Sequence, residues 1–342
     1  MNDNVIEQLK KVLPEERILV QEPMRMHCSF RTGGPADLFL RVSSREELES
    51  VLRILKEVQI PAYLLGRGTN VLIADEGIRG AVVTMADHMD RIEVSGNAIR
   101  AEAGAPLSRI AAAAKEHGLT GLEFAAGIPG SLGGAILMNA GAYGGEMKQV
   151  VREVTMWKEP GAGESSGEAQ EGTLVTIPGE EMEFGYRTSR VKKEGGIVLS
   201  AVFELGQGDP AEIAAKMEDL AARRRDKQPL EYPSAGSTFK RPEGDFAGRL
   251  IEEAGLRGFS VGGAQVSEKH CGFVINRGGA TSADVQAVID AVRTRVYETS
   301  GRMLEREVIY LGMQDTYESP EKDIQGCHTC IQGHPYRYPG VL

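Results

Sequence analysis

The amino-acid sequence predicts an α+β protein of more than one domain. Three observations carry that expectation. The chain has 342 residues, and at about 150 residues per domain this means two or three units. Short apolar and β-branched runs alternate with stretches of helical spacing. The 42 glycines, against roughly 24 at an average usage near 7%, gather at the junctions between such runs. No Gly-X-Y period is present, so the surplus is not collagenous. A hydrophobic content of 41% is too high for a wholly disordered chain.

The elements follow in order. Val5, Ile6, Leu9, Val12 and Leu13 have the spacing of an amphipathic surface helix. Ala36–Val42 alternates as a strand. Ser43 or Ser44, with Glu46 or Glu47 three residues on, starts a helix as a capping box. Its apolar face is Leu48, Val51, Leu52, Leu55 and Val58. Pro61 stops it, Tyr63–Leu65 reads as the next strand, and the three elements form a βαβ-like unit. The apolar run Val71–Ala74 follows a glycine loop. Ala81–Met85, Arg91–Val94 and Ala98–Ala101 are short strands, and Leu107–His117 is a helix with Gly118 as its stop. A second glycine loop leads into a helix over Ala135–Ala140. Val150–Lys158 and Thr173–Ile177 make a long hairpin whose Gly-, Glu- and Ser-rich tip, Glu159–Gly172, reads as a mobile surface loop. Ile197–Leu205 is a further strand. Pro210–Lys227 is a charged helix that opens a new domain. Helices at Phe246–Ala254 and Ser282–Ser300 with strands at Gly263–Val266 and Gly272–Asn276 make a βαβ-rich block, and Glu307–Leu311 is the last strand. Residues 313–342 lack periodicity and read as an irregular tail.

Composition narrows the function. Lys plus Arg total 39 and Asp plus Glu 49, a net charge of −10, which argues against general nucleic-acid binding. An anionic small ligand needs a local gathering of Arg and Lys. The first residues contain no apolar run of signal-peptide type, and nowhere do 18 apolar residues occur in succession, so no membrane span is expected. Four scattered cysteines do not make a disulfide framework. A cytoplasmic protein is the consistent expectation.

Two glycine loops stand out. Gly66-Arg67-Gly68-Thr69-Asn70, followed by Val71, lies between two strand-like runs. Its backbone can turn sharply and bring amide groups close to an anion. It lacks the third glycine and following helix of a dinucleotide fingerprint, and a tight turn between strands explains it equally well. The second, Gly127-Ile128-Pro129-Gly130-Ser131-Leu132-Gly133-Gly134, precedes a helix, and Gly141-Ala142-Tyr143-Gly144 follows. Eight glycines fall within the 25 residues from Gly121 to Gly145. Amides at a helix start favour phosphate, and two such loops suggest a pyrophosphate gripped from both sides. Close packing of helix on sheet is the alternative.

The segments GRGTNVL at 66–72, GIPGSLGGAILMNAGAYGGE at 127–146, FGYRTS at 184–189, SAGSTFKRP at 234–242, GGAQVSEKHCGFVIN at 262–276 and LEREV at 304–308 together resemble the bacterial UDP-N-acetylenolpyruvoylglucosamine reductases, the MurB family. The resemblance runs in family order from about Phe30 to about Gly312. It implies an FAD-binding fold of the PCMH type, two α+β subdomains at 1–85 and 86–206 with a returning strand at 302–312 in the second, and an α/β substrate-binding domain at 207–301. It implies FAD as cofactor, NADPH as co-substrate and a UDP-sugar substrate whose enolpyruvyl ether is reduced to UDP-N-acetylmuramate for peptidoglycan synthesis. A monomer or weak oligomer is expected. The two glycine loops, Gly141, Ala142 and Tyr143, together with Arg31 and Thr32, would hold FAD.

By the same resemblance, three residues carry the chemistry. Hydride passes from nicotinamide to flavin and then to the enolpyruvyl methylene carbon, leaving charge that spreads into the substrate carboxylate. Arg187 would bind that carboxylate with its planar fork of donors. Ser237 would supply the proton to carbon, and Glu307 would polarise the carboxylate as a protonated acid. Glu305 is placed on the other side of the last strand as a control. Tyr186, Lys240 and Arg241 are candidates for the uridine diphosphate and His270 for a further substrate hydrogen bond. Taken singly, Arg187 reads as a surface ion pair, Ser237 as a turn serine and Glu307 as an edge charge; the ordered set points to catalysis. Direct passage from Arg190 through Lys192 and Gly195 to a strand resembles the shorter-loop subgroup. Another FAD-dependent hydroxy-acid or alcohol oxidoreductase of the same superfamily, or a non-enzymatic flavin- or nucleotide-binding protein, is the rival reading. The tail carries Cys327-His328-Thr329-Cys330 and His334; with no second ligand pair at finger spacing, no metal site is expected.

Overall fold

Alternation within Pro35–Arg41 builds the first layer. In the computed structural model, which describes residues 3–159, 172–315 and 317, Leu38 and Leu40 face one hydrophobic core and Phe39 the other. Ala81 and Val83 against Val82 repeat the pattern on Ile78–Thr84, as strand side chains must. The sheet runs Ile18–Pro23, Pro35–Arg41, Ile78–Thr84, Ala62–Leu64. Its first pair is antiparallel and the rest are parallel. Helix Arg45–Glu57 is the crossover. Ser44 is its N-cap, accepting the Glu47 N–H at 3.2 Å, while the Glu47 carboxylate accepts the Ser43 N–H at 2.7 Å. The N-terminal helix, Asp3–Leu9, is shorter than its apolar spacing predicts. Pro14 disfavours helical backbone at the preceding residue, and Leu13 reaches the core from a turn instead.

The second sheet is antiparallel: Thr173–Pro178, Val151–Lys158, Ile197–Glu204, Ala98–Glu102, Ile92–Ser95. Helices Leu107–Glu116 and Leu132–Leu137 lie against it. The latter starts three residues before the expected Ala135, with Ser131 extended at its N-cap. The hairpin tip at 160–171 falls outside the described residues, as do Cys327, Cys330 and His334. Helix Pro210–Lys227, capped by Asp209, rests on Leu107–Glu116, Leu119–Thr120 and the short turn Glu123–Ala125. Lys216 there meets the buried Glu123 carboxylate at 3.2 Å. The helix expected to open the third domain therefore packs on the second.

The block after it holds helices Ala247–Glu253 and Ser282–Ser300 and a three-stranded sheet, Ser260–Val261, Ala264–Val266, Val274–Asn276. These strands are antiparallel, not the βαβ units expected, because the connections are too short for a crossover. The long helix begins with Asp75 accepting the Ser282 and Ala283 N–H groups at 2.8 and 2.9 Å. The returning strand also differs from expectation. Regular pairing covers Ile309–Leu311, parallel to Val71–Ile73 of the first part of the chain rather than beside the second sheet. Among the described residues no helix is long and apolar enough to cross a membrane.

Candidate active site

Arg187 enters on a two-residue turn. Gly185 and Thr188 exchange backbone hydrogen bonds at 3.1 and 3.3 Å, leaving Tyr186 and Arg187 at the tip. Arg187 has φ +55°, a left-handed conformation that costs about 1–2 kcal/mol in a non-glycine residue. Buried Asn139 braces the turn by donating to the Gly185 carbonyl at 3.1 Å. Ser237 arrives on a separate stretch of the chain. Its neighbour Thr238 is fully buried. The Thr238 N–H donates to Gly272 O at 2.9 Å and its hydroxyl accepts the Val274 N–H at 3.0 Å. Its carbonyl accepts the Glu307 N–H at 2.9 Å, so Ser237 and Glu307 sit on adjoining stretches. Asn70 of the first glycine loop completes the support, donating its side-chain N–H to Glu307 O at 3.2 Å.

Arg187 Nε lies 2.7 Å from Glu307 Oε1 as an ionic contact without a directed hydrogen bond. Glu307 Oε2 is buried with no protein partner. Burial raises the Glu307 pKa, opposed by Arg187 and then by Lys192 and Lys240. Glu305 is exposed and pairs with Lys240. It does face away, but not by strand alternation: residues two apart in a strand share a face. The stretch before Ile309 is irregular, bridged only at Arg306 to Phe239, and that irregularity separates the two glutamates.

Arg187, Ser237 and Glu307 form the wall common to two cavities. The first runs between the glycine loops. Arg67, Gly68, Thr69, Asn70 and Val71 line one side and Ile128, Pro129, Gly130, Ser131 and Gly134 the other, with Gly141 and Ala142 at an edge. Thr69 ties the loops together, its hydroxyl donating to Pro129 O at 3.2 Å. Gly68 has φ +61°, and a Cβ there would come within 2.0 Å of His27 O. Arg31, Thr32, Gly66, Gly127, Gly133 and Tyr143 stand off this wall. Thr32 is buried against the Ser282 hydroxyl at 2.9 Å, Gly127 backs onto Arg224, and Tyr143 is exposed at a hairpin tip.

The second cavity carries the basic groups that the acidic composition otherwise lacks. Tyr186, Arg241, Arg249, Arg257, Lys269 and His270 line it. The Tyr186 hydroxyl accepts the Arg241 N–H at 2.9 Å, and the Arg241 guanidinium lies 4.0 Å from the Phe246 ring centre. His270 Nδ1 accepts the Gly272 N–H at 3.1 Å, so the neutral ring carries its proton on Nε2. Burial pushes its pKa down. Lys240 stays off the wall, held by Glu305.

Sequence reasoning passed over Arg224 and Gln228, which also line the first cavity. They lie in and just after a basic run that reads as a solvated helix face; only the packing of Pro210–Lys227 turns them inward. Asn139 and Thr238 carried no motif of their own.

The residues fit FAD. The first cavity joins turn backbones to apolar side chains, and buried polar atoms without partners, Glu307 Oε2 and Gln228 Oε1, belong to residues on its wall. Comparison with known proteins agrees. Residues 36–163 match the FAD binding domain family and residues 228–311 the C-terminal domain of UDP-N-acetylenolpyruvoylglucosamine reductase. The reductase of that name from Clostridioides difficile (strain 630) is 49% identical over 91% of this chain and 99% of its own. The chain belongs to the UDP-N-acetylenolpyruvoylglucosamine reductase family. The family member from Geobacillus thermodenitrificans (strain NG80-2) is 47% identical over 91% of this chain and 98% of its own. The crystal structure of the Thermus caldophilus reductase superposes with a TM-score of 0.70 at 32% identity, covering 86% of this chain and 98% of that one. The fold is therefore the PCMH-type FAD-binding arrangement of the reductase family.

Proposed function

We propose that Arg187, Ser237 and Glu307 are the catalytic groups with which this reductase turns the enolpyruvyl ether of UDP-N-acetylglucosamine into UDP-N-acetylmuramate, for peptidoglycan synthesis, using FAD and NADPH. The observation that carries the proposal is their shared position between the cavity of the glycine loops and the basic one. FAD, when bound, supplies the hydride for the methylene carbon. Gly68, Thr69, Asn70, Gly130 and Ser131 would hold it, with Arg224 and Gln228 closing the cavity. Arg187 takes the substrate carboxylate in its fork of donors. Glu307, whose pKa burial raises against the pull of Arg187, would in its protonated form donate a hydrogen bond to the same carboxylate, stabilising the charge that collects there. Ser237 then gives its hydroxyl proton to the adjacent carbon. A hydroxyl is a weak acid, and the strongly basic carbon draws the proton.

The nucleotide arm extends over Tyr186, Arg241 and the basic wall, with Lys240 at its edge and His270 Nε2 as a donor. The substrate domain begins near Gln228, and the enzyme works in the cytoplasm as a monomer or weak oligomer. The test is an anaerobic titration. NADPH should bleach the flavin absorbance of the purified protein, and the enolpyruvyl nucleotide should restore it. A flavin that NADPH reduces but the nucleotide leaves reduced excludes this function and favours another oxidoreductase of the superfamily.

A further inference from the structure

The short helix Arg190–Glu194 follows the catalytic turn and carries three basic residues. Two have acidic partners. Arg190 pairs with Glu194 at 2.9 Å, and Lys193 with Glu183 at 2.7 Å. Lys192 has no carboxylate in ion-pair range among the described residues. Its ammonium instead donates to the Arg187 carbonyl at 3.0 Å and lies 3.6 Å from Met138 Sδ, a residue of the first cavity's wall. The Arg187 turn needs such a hold. Its backbone is left-handed at φ +55°, and such conformations persist only where surrounding contacts impose them. Asn139 secures Gly185 at the base of the turn; Lys192 secures Arg187 at the tip.

We propose that Lys192 is a positioning residue for the reduction: it grips the Arg187 backbone from behind the cavity and biases the Glu307 carboxyl by its charge. This deepens the function proposed above and rests on it. Four charged groups act on Lys192: Arg187 on the turn, which it touches, Lys240 three residues after Ser237, and Glu305 and Glu307 on the stretch before the last strand. Lys192 stays exposed as a residue, but partial loss of hydration at its ammonium lowers its pKa, Lys240 and Arg187 add repulsion, and the two glutamates oppose them. Glu307 in turn faces Arg187, Lys192 and Lys240. The Lys192 charge favours the Glu307 carboxylate, so it limits how far burial can raise that pKa.

The test compares Lys192→Met, Lys192→Arg and, as a control on the same helix, Lys193→Met. Glu307 is titrated directly by ¹³C NMR of glutamate-labelled protein, with Glu307→Gln supplying the assignment. Lys192→Met should titrate at higher pH than the parent, because a nearby cation is lost. Lys192→Arg and Lys193→Met should titrate as the parent does. For the enolpyruvyl nucleotide, kcat/KM of Lys192→Met should fall by about tenfold, a fraction of what a misplacement of 1 Å costs. The proposal is overturned by an unmoved titration in Lys192→Met, by an equal movement in Lys192→Arg, or by an unaltered kcat/KM in Lys192→Met. The titration reports the Lys192–Glu307 coupling whether or not the parent reduces this nucleotide, so the two readings fail separately.

Discussion

Glu307→Gln isolates one proton in the site. The side chain keeps its size and loses its charge and its titration. Two effects on stability oppose each other. Arg187 loses an ionic partner at 2.7 Å, while a carboxylate that burial disfavours is removed. Breaking a fully buried pair costs about 3–5 kcal/mol, but Arg187 keeps 23% of its side chain exposed and the amide still offers an oxygen. The net change in unfolding free energy at neutral pH should therefore lie within about 1 kcal/mol. The pH dependence has a definite sign. The folded state holds the Glu307 proton more tightly than the unfolded chain, so this group's contribution is full below the ordinary carboxylate range. It is lost as pH rises through the raised folded value. The glutamine variant should lack that decline. In catalysis the amide replaces the carboxylic acid as a weaker donor. Losing one preorganised donor outright costs about 10²–10³ in kcat, so the variant should lose between about 10- and 100-fold, or about 1.4–2.7 kcal/mol. The assay is stopped-flow oxidation of the reduced flavin by the enolpyruvyl nucleotide across pH. The parent should slow as pH rises through the Glu307 pKa, and the variant should not. An alkaline limb that survives unchanged in Glu307→Gln refutes the assignment of the proton to this residue.

Other expectations can be measured singly. Ser237→Ala should keep flavin reduction by NADPH and lose about 10²–10⁴-fold in substrate reduction, the usual weight of a proton donor; normal steady-state turnover would exclude that role. Gly68→Ala places a Cβ within 2.0 Å of His27 O at φ +61°. It should cost more than about 1 kcal/mol and lower the flavin-to-protein ratio of the purified enzyme. Asp75→Ala removes the acceptor for the first two N–H groups of Ser282–Ser300. It should lower Tm by an amount equivalent to about 1–2 kcal/mol, with the flavin spectrum unchanged.

Local pattern made most of the elements legible. Pro210–Lys227 and Ser282–Ser300 keep the bounds read from their spacing, because the residues that start them, Asp209 and Thr281 with Asp284, lie next to the helices they cap. Pairing was less accessible. Ile309–Leu311 reads as a strand, but nothing near it names Val71–Ile73 as its partner. The same holds for the face of Pro210–Lys227 that meets Glu123 rather than the following domain. For the site, the ordered motifs singled out Arg187, Ser237 and Glu307, which the fold brings to one wall. Asn139, Thr238, Lys192 and Arg224 were silent because their contacts are with residues that only the fold or a turn brings near.

By itself the sequence determined the kind of chain this is: two glycine-rich loops, a set of short strands and helices, and a family motif order that names the reaction. These are local properties, carried by backbone preference and side-chain chemistry within a few residues. The tertiary structure decided what those residues face. It buried one carboxylate of Glu-Arg-Glu beside Arg187 and left the other in water, and it turned Arg224 and Gln228 toward the flavin cavity. It also set Lys192 behind a strained turn. The physical reason is that burial, and with it the cost of charge, depends on which distant segments pack against a residue.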